Sequence, residues 1–194
     1  MSPIVERRVV EVRDAWPADL GAVTRIFATY VENTVVSLAD TPPSRADWGR
    51  RYWDAAARGL PFLVAEEDGR VVGMAYCSPW RGKGGYRFTA ESSIYLEPSA
   101  TGRGTGRRLL RELLDRCERA GVREVIAVIV DPGGEGSAKL HESCGYTTVG
   151  RLTGVGHKHG TVVDTVLMQH RTGSTGRAGA MADPTRRTAG AVTG

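Results

Sequence analysis

The sequence predicts a single-domain α/β fold: a central, mixed, twisted sheet of about six to seven strands flanked by about four helices. Three observations predict it. A strand ending at Leu96, a glycine-rich loop at 101–106 and an amphipathic helix follow one another without a break. A continuous apolar run, Val125 to Val130, comes soon after that helix, so strand, helix and strand form a right-handed parallel crossover. Phe62–Glu66 and Val71–Tyr76 flank Glu67-Asp68-Gly69-Arg70, a hairpin signal with Asp-Gly in the turn.

The remaining elements follow in chain order. Val9, Val10 and Val12 suggest a short strand over 8–13. Pro17 near a helix start, then Leu20, Val23, Ile26 and Phe27 at helical spacing, predict an amphipathic helix over 17–31. Ser44 is an N-cap for a second helix with Trp48, Tyr52 and Ala56 on one face, stopped by Gly59. Arg81 to Gly85 is a polar, glycine-rich loop, and a long strand is expected from about Tyr86 to Leu96. Leu109, Leu110, Leu113, Leu114 and Cys117 form the stripe of the next helix. Glu112–Arg116 and Asp115–Arg119 support it at i,i+4, and Gly121 ends it. Ser137 is expected to cap a short helix ending at Gly145, and Tyr146–Leu152 and Val162–Gln169 to be the closing strands. The fold is assigned to 1–171. The Gly/Ala/Thr/Arg-rich stretch 172–194 buries too little to offset its ordering entropy and is expected to be disordered.

Bulk properties exclude several classes. A chain of 194 residues suits one domain. No apolar run approaches the roughly 18–20 residues that span a bilayer. The charges of Glu6, Arg7, Arg8, Glu11 and Arg13 argue against a signal peptide, so cytoplasmic residence is expected, with no membrane partner. Cys77, Cys117 and Cys144 are widely spaced and odd in number, which suggests neither disulfides nor a metal site. A net charge of +4 without long Lys/Arg runs or an aromatic-interleaved basic stripe argues for an anionic ligand rather than nucleic acid.

The glycine loop Thr101-Gly102-Arg103-Gly104-Thr105-Gly106 carries the chemistry. A strand-to-helix junction of this kind aims backbone N–H groups at one spot, at the positive end of a helix dipole, and so binds phosphate. Arg107 stands where a dinucleotide fingerprint needs its last glycine, and no Gly-Lys-Ser/Thr is present for a P-loop. The spacing matches [Gln/Arg]-x-x-Gly-x-Gly, and three glycines in five residues exceed what a tight turn needs. Two further residues stay open on position alone. Glu91, between Phe88 and Ile94, is a base in an apolar setting, a solvated Glu or a partner of Arg87. His141 is a proton donor or an ordinary half-buried helix residue.

Strand, Gly-x-Gly loop and helix in this order resemble the acetyl-CoA site of the GNAT superfamily of N-acetyltransferases. Tyr86-Arg87-Phe88-Thr89-Ala90-Glu91-Ser92-Ser93-Ile94-Tyr95 is similar to a segment of the phosphinothricin N-acetyltransferases. So are Leu140-His141-Glu142-Ser143-Cys144-Gly145-Tyr146 and Gly156-His157-Lys158-His159-Gly160, with Asp164 and Met168-Gln169 beyond. The likeness covers about 9–170. Thr101, Gly134, Lys83 and Val162 depart from the family pattern.

The resemblance implies acetyl transfer from acetyl-CoA, without a metal, to the α-amine of a small substrate of the phosphinothricin or methionine sulfoximine type, in a ternary complex. Another amine, or a non-catalytic acetyl-CoA-binding domain, is the alternative. It implies Glu91 as base, because an alkylammonium is mostly protonated at neutral pH, and His141 as acid toward the departing thiolate. Ile94, Tyr95 and Leu96 would meet the pantetheine arm and the acyl oxygen, with an N–H freed by a bulge near the loop. Thr101, Gly102, Arg103, Gly104, Thr105, Gly106 and Arg107 would hold the diphosphate, with Gly134 nearby. Tyr30, Lys83, Tyr86 and Lys158 would meet the amine substrate. A homodimer is the usual assembly of the resembled family.

Overall fold

The computed structural model describes residues 10–173. The expected tail falls almost wholly outside these residues, as do the first two positions of the first strand. The elements are β1 (Val10–Asp14), α1 (Leu20–Asn33), α2 (Arg45–Ala57), β2 (Phe62–Glu67), β3 (Arg70–Pro79), β4 (Thr89–Leu96), α3 (Thr105–Arg119), β5 (Glu124–Asp131), α4 (Glu135–Ser143), β6 (Thr147–Lys158) and β7 (Thr161–Arg171). They build a seven-stranded sheet in the order β1-β2-β3-β4-β5-β7-β6. All neighbours are antiparallel except β4 and β5, the predicted parallel pair.

Each face of the sheet buries its own core. Leu109, Leu110, Leu113 and Cys117 of α3 pack with Ala90, Val125 and Tyr146 on one face. Val23, Ile26 and Phe27 of α1 and Trp48 of α2 pack with Val64 and Met74 on the other. Alternation along β4 distributes its side chains between them: Ala90, Ile94 and Leu96 toward α3, and Tyr95 toward α1 and α2.

Local chemistry sets the element ends. Pro17–Asp19 forms a 3-10 turn instead of the first turn of α1, with the Trp16 N–H donating to the Asp19 carboxylate at 2.8 Å. Ser44 caps α2 as predicted, accepting from the Asp47 N–H at 3.2 Å, but Ala55 rather than Ala56 is buried on that helix. Asp68 and Gly69 both have positive φ, 49° and 74°, the turn that a two-residue hairpin requires. His159 and Gly160 repeat this between β6 and β7, at 49° and 74°.

Other boundaries differ from expectation. β4 begins at Thr89, because Gly84–Tyr86 curls into a 3-10 turn. Gly134, not Ser137, is the N-cap of α4, and Ser137 lies inside the helix. Arg116 pairs with Glu112 as expected, but Arg119 also turns to Glu112 rather than Asp115. The closing strands are longer than predicted. Among the described residues, no helix is long and apolar enough to cross a membrane.

Candidate functional site

β4 and β5 part company soon after they meet. They pair at Thr89–Glu91 against Glu124–Ile126 and no further. The Ser92 hydroxyl is the last tie, donating to the Ile126 carbonyl at 3.3 Å and touching the Tyr146 hydroxyl at 3.0 Å. Beyond it, residues 92–96 have no ladder partner on the β5 side among the described residues. The expected bulge is absent from the β3–β4 register, which runs unbroken from Gly73–Leu96 to Pro79–Ala90. The splay of the parallel pair frees the strand edge instead.

A cleft of about 660 Å³ fills the gap. Residues 92–96 form one wall and 127–130 the other. This explains why Val128, expected inside a doubly buried strand, is 39% exposed: β7 still pairs with it at Leu167, but on its other side β4 has already left.

The glycine loop closes one end. Thr101, Gly102, Gly104, Gly106 and Arg107 line the cleft. Gly102 and Gly104 are left-handed, φ 71° and 84°, and Gly104 is the N-cap of the 15-residue α3. Only glycine takes this conformation without strain, and it leaves the first amides of α3 facing the cleft end. Thr101 and Thr105 hold the loop's shape: the Thr101 hydroxyl donates to the Pro98 carbonyl at 2.7 Å, and Thr105 is buried.

Arg103, expected at the diphosphate, is held elsewhere. Its guanidinium pairs with the Glu67 carboxylate at the end of β2, and Glu67 is 6% exposed. Arg103 therefore braces the loop from behind. Arg107 does line the cleft, and it donates to the Ser143 carbonyl at 3.4 Å.

His141 enters the same cleft from α4 and is 2% exposed. Its Nδ1 lies 2.8 Å from the Ser137 carbonyl, which can only accept, so Nδ1 carries the hydrogen. Nε2 is then the acceptor of the neutral ring, and it has no partner among the described residues. Burial pushes the imidazole below its ordinary pKa, against the Ser137 contact that raises it. The ring stands edge-on to Tyr146, centroids 4.8 Å apart. The i,i+4 spacing of Ser137 and His141 was the available sequence signal for this orientation.

Glu91 sits where β4 and β5 still pair, opposite Ser78 and Ile126, one residue before the cleft wall begins. Its parity with Tyr95 places it on the α1/α2 face, whereas Ser92 and Tyr146 belong to the α3 side. Burial raises its pKa, offset in part by the nearby Arg81 charge. Tyr95 lines the cleft, its ring edge-on to Phe27 and Tyr30. Tyr30 also lines it, but its hydroxyl is spent on the Leu96 carbonyl at 2.7 Å, so it offers a ring face.

The other expected substrate contacts are not brought to the cleft. Lys83 and Tyr86 are exposed on the 81–88 segment, near Arg81, whose charge acts on Glu91. Lys158 is 4% exposed, and its ammonium donates to the Ser37 and Ala39 carbonyls at 2.6 and 2.7 Å. It is a structural cation, not a free one.

Gly134 lines the cleft, where a Cβ would lie 2.2 Å from the Val130 carbonyl oxygen. This backbone excludes any side chain at that position, so position 134 offers only main chain. Val36, from the α1–α2 connection, lines the cleft without any motif that announced it. No cluster of metal-ligating side chains occurs among the described residues.

Comparison with known proteins places this geometry. Residues 23–146 match the acetyltransferase (GNAT) family. A phosphinothricin N-acetyltransferase of Alcaligenes faecalis is 43% identical over 151 residues, 78% of this chain and 77% of that protein. An L-methionine sulfoximine/L-methionine sulfone acetyltransferase of Salmonella typhimurium is 35% identical over 160 residues, 81% of this chain and 92% of that protein. A crystal structure of a Sinorhizobium meliloti phosphinothricin acetyltransferase in complex with acetyl-CoA superposes with a TM-score of 0.81 at 41% identity, over 84% of this chain and 89% of that one.

Proposed function

The chain belongs to the acetyltransferase (GNAT) family, and from that premise we propose that it moves an acetyl group from acetyl-CoA to the α-amine of a small amino-acid-like substrate of the phosphinothricin or methionine sulfoximine type, with both substrates bound together. The observation that carries this reading is the split between β4 and β5. It leads from the glycine loop, past an unpartnered imidazole nitrogen, toward the half-buried carboxylate of Glu91, one residue before the cleft wall.

The residues present fit acetyl-CoA. Amides of 102–107 and Arg107 hold the diphosphate at the positive end of α3. The unpaired edge of 92–96 meets the pantetheine arm, and one of its N–H groups faces the acyl oxygen. The thioester supplies an activated acetyl carbon.

The amine arrives as an ammonium. Glu91 takes its first proton, a role suited to a carboxylate whose pKa is raised by burial. As the C–N bond forms and the C–S bond breaks, the nitrogen gives up a second proton and the thiolate needs one. Nε2 of His141, an acceptor at rest, takes that proton and returns it to sulfur. Ser137 holds the ring in the required tautomer. Arg81, Lys83 and Tyr86 are the groups assigned to the substrate's anionic or polar head, and Tyr30 to its apolar part. The same reading carries a homodimer, for which exposed Val149, Leu152, Val155 and Val162 near the sheet edge are the candidate surface.

An amine panel with acetyl-CoA, read by release of free thiol, tests the assignment. The highest kcat/KM is expected for phosphinothricin or methionine sulfoximine. A higher value for a polyamine or a peptide N-terminus would reassign the substrate. Binding of CoA without amine-dependent thiol release would make this a non-catalytic domain.

A further inference from the structure

The connection between α1 and α2 is held against the far end of the molecule. Lys158, at the end of β6, reaches across more than a hundred residues of sequence to donate to the Ser37 and Ala39 carbonyls. Two residues earlier, Gly156 leaves room for Leu38: a Cβ there would come within 2.9 Å of the Leu38 side chain and 2.7 Å of Val163. On the other side, Val35 and Val36 close on Gly133, where a Cβ would meet them at 3.5 and 3.4 Å. Ser37 is buried, and Val36 lines the cleft.

The segment 35–39 therefore contributes Val36 to the cleft lining and makes no ladder of its own. Its place is fixed by an ammonium, a missing side chain and a packed valine pair. It joins the two helices that cover the Glu91 face of the sheet, which is the amine side of the proposed reaction. A lysine suits this anchor because one flexible, compact cation satisfies two carbonyls at once while its stem fills apolar space. Burying such a charge is costly unless it is held this way, so the contact is not an incidental surface pairing.

We propose that Lys158 is a positioning residue for the amine substrate: it anchors segment 35–39 so that Val36 shapes the amine end of the cleft. The inference rests on the acetyltransferase reading for its kinetic consequence, not for the anchor itself. It makes Lys158 indirect in its effect, although it lies within a motif shared in style with the family.

The test is Lys158→Met in the full chain. KM for the amine is expected to rise about tenfold, while kcat falls less and KM for acetyl-CoA stays within about twofold. Hydrogen exchange at 35–40 is expected to quicken, with the β5 and β7 amides unchanged. An amine KM that stays put in a folded variant overturns the proposal. If that variant does not fold, Gly156→Ala displaces Leu38 by an independent route and should raise the amine KM with the same selectivity; equal amine KM values overturn the idea. If the unmutated protein acetylates no amine, the acetyltransferase reading fails, and exchange then decides the anchor: quicker exchange at 35–40 supports it and unchanged exchange removes it.

Discussion

At residue 91, burial lifts a carboxyl toward the pH at which it can take a proton, and at residue 141 burial lowers an imidazole so that it rests neutral. Both shifts favour the uncharged form, as desolvation requires. The proposed base must be ionised to work, so activity is expected to be lost as pH falls through the Glu91 pKa. Because that pKa is raised, the acid limb of kcat/KM is expected above the ordinary Glu value of about 4.3. Glu91→Gln should lower kcat/KM on the order of 100-fold near neutral pH and abolish that limb. An unchanged rate would remove Glu91 from its role. For His141→Ala, a clear loss of kcat is expected with acetyl-CoA affinity largely kept. Loss of that affinity alone, read by calorimetry, would reduce the residue to packing. Glu91 and His141 were legible as candidates through the family resemblance, since residue type and position alone left their roles open. The pairings of Arg103 and Lys158 were not, since their partners Glu67, Ser37 and Ala39 lie 36 to 121 positions away.

Among the elements, α4 shows how a departure from a family pattern can be imposed by the backbone. Its N-cap, Gly134, has an ordinary φ of −97°, so its glycine is required by contact and not by conformation. A methyl group there would press on the Val130 carbonyl oxygen and on Ile129, 2.5 Å away. Gly134→Ala is expected to destabilise the protein by about 1–3 kcal/mol, the cost of overpacking, and to raise KM for acetyl-CoA. A melting temperature equal to that of the parent would contradict it. Turns with local chemistry were readable at this scale: Asp68-Gly69, the Ser44 cap and the Gly121 stop all stand where expected. Boundaries set by distant neighbours were not. Apolar periodicity could not show that β5 loses β4 as a neighbour beyond Ile126 while keeping β7, and so could not foresee an exposed Val128.

For the whole molecule, the hairpin and the parallel crossover were readable in advance, because chain connectivity and handedness leave few ways to arrange them, but the place of β7 between β5 and β6 was not. Where the cleft would open was not contained in them; it depends on how far two strands stay in register. A ligand bound only by the folded chain stabilises it by mass action. At about 100 times its dissociation constant, acetyl-CoA should add about 2.7 kcal/mol, and a domain of this size gains roughly 2–4 °C for each kcal/mol. Scanning calorimetry checks this directly. No rise in melting temperature at millimolar acetyl-CoA would contradict the assigned cleft.

On the proposed reading, the parting of β4 and β5 makes the thioester's arm a temporary rung in a ladder that protein alone leaves unfinished. Amides of 92–96 on that edge have only solvent to bond until the arm slides in, so they should be among those whose hydrogen exchange acetyl-CoA slows most. Each catalytic cycle would then knit the two halves of the sheet together and unpick them again, and release of the spent thiol would be in part a small, local unfolding.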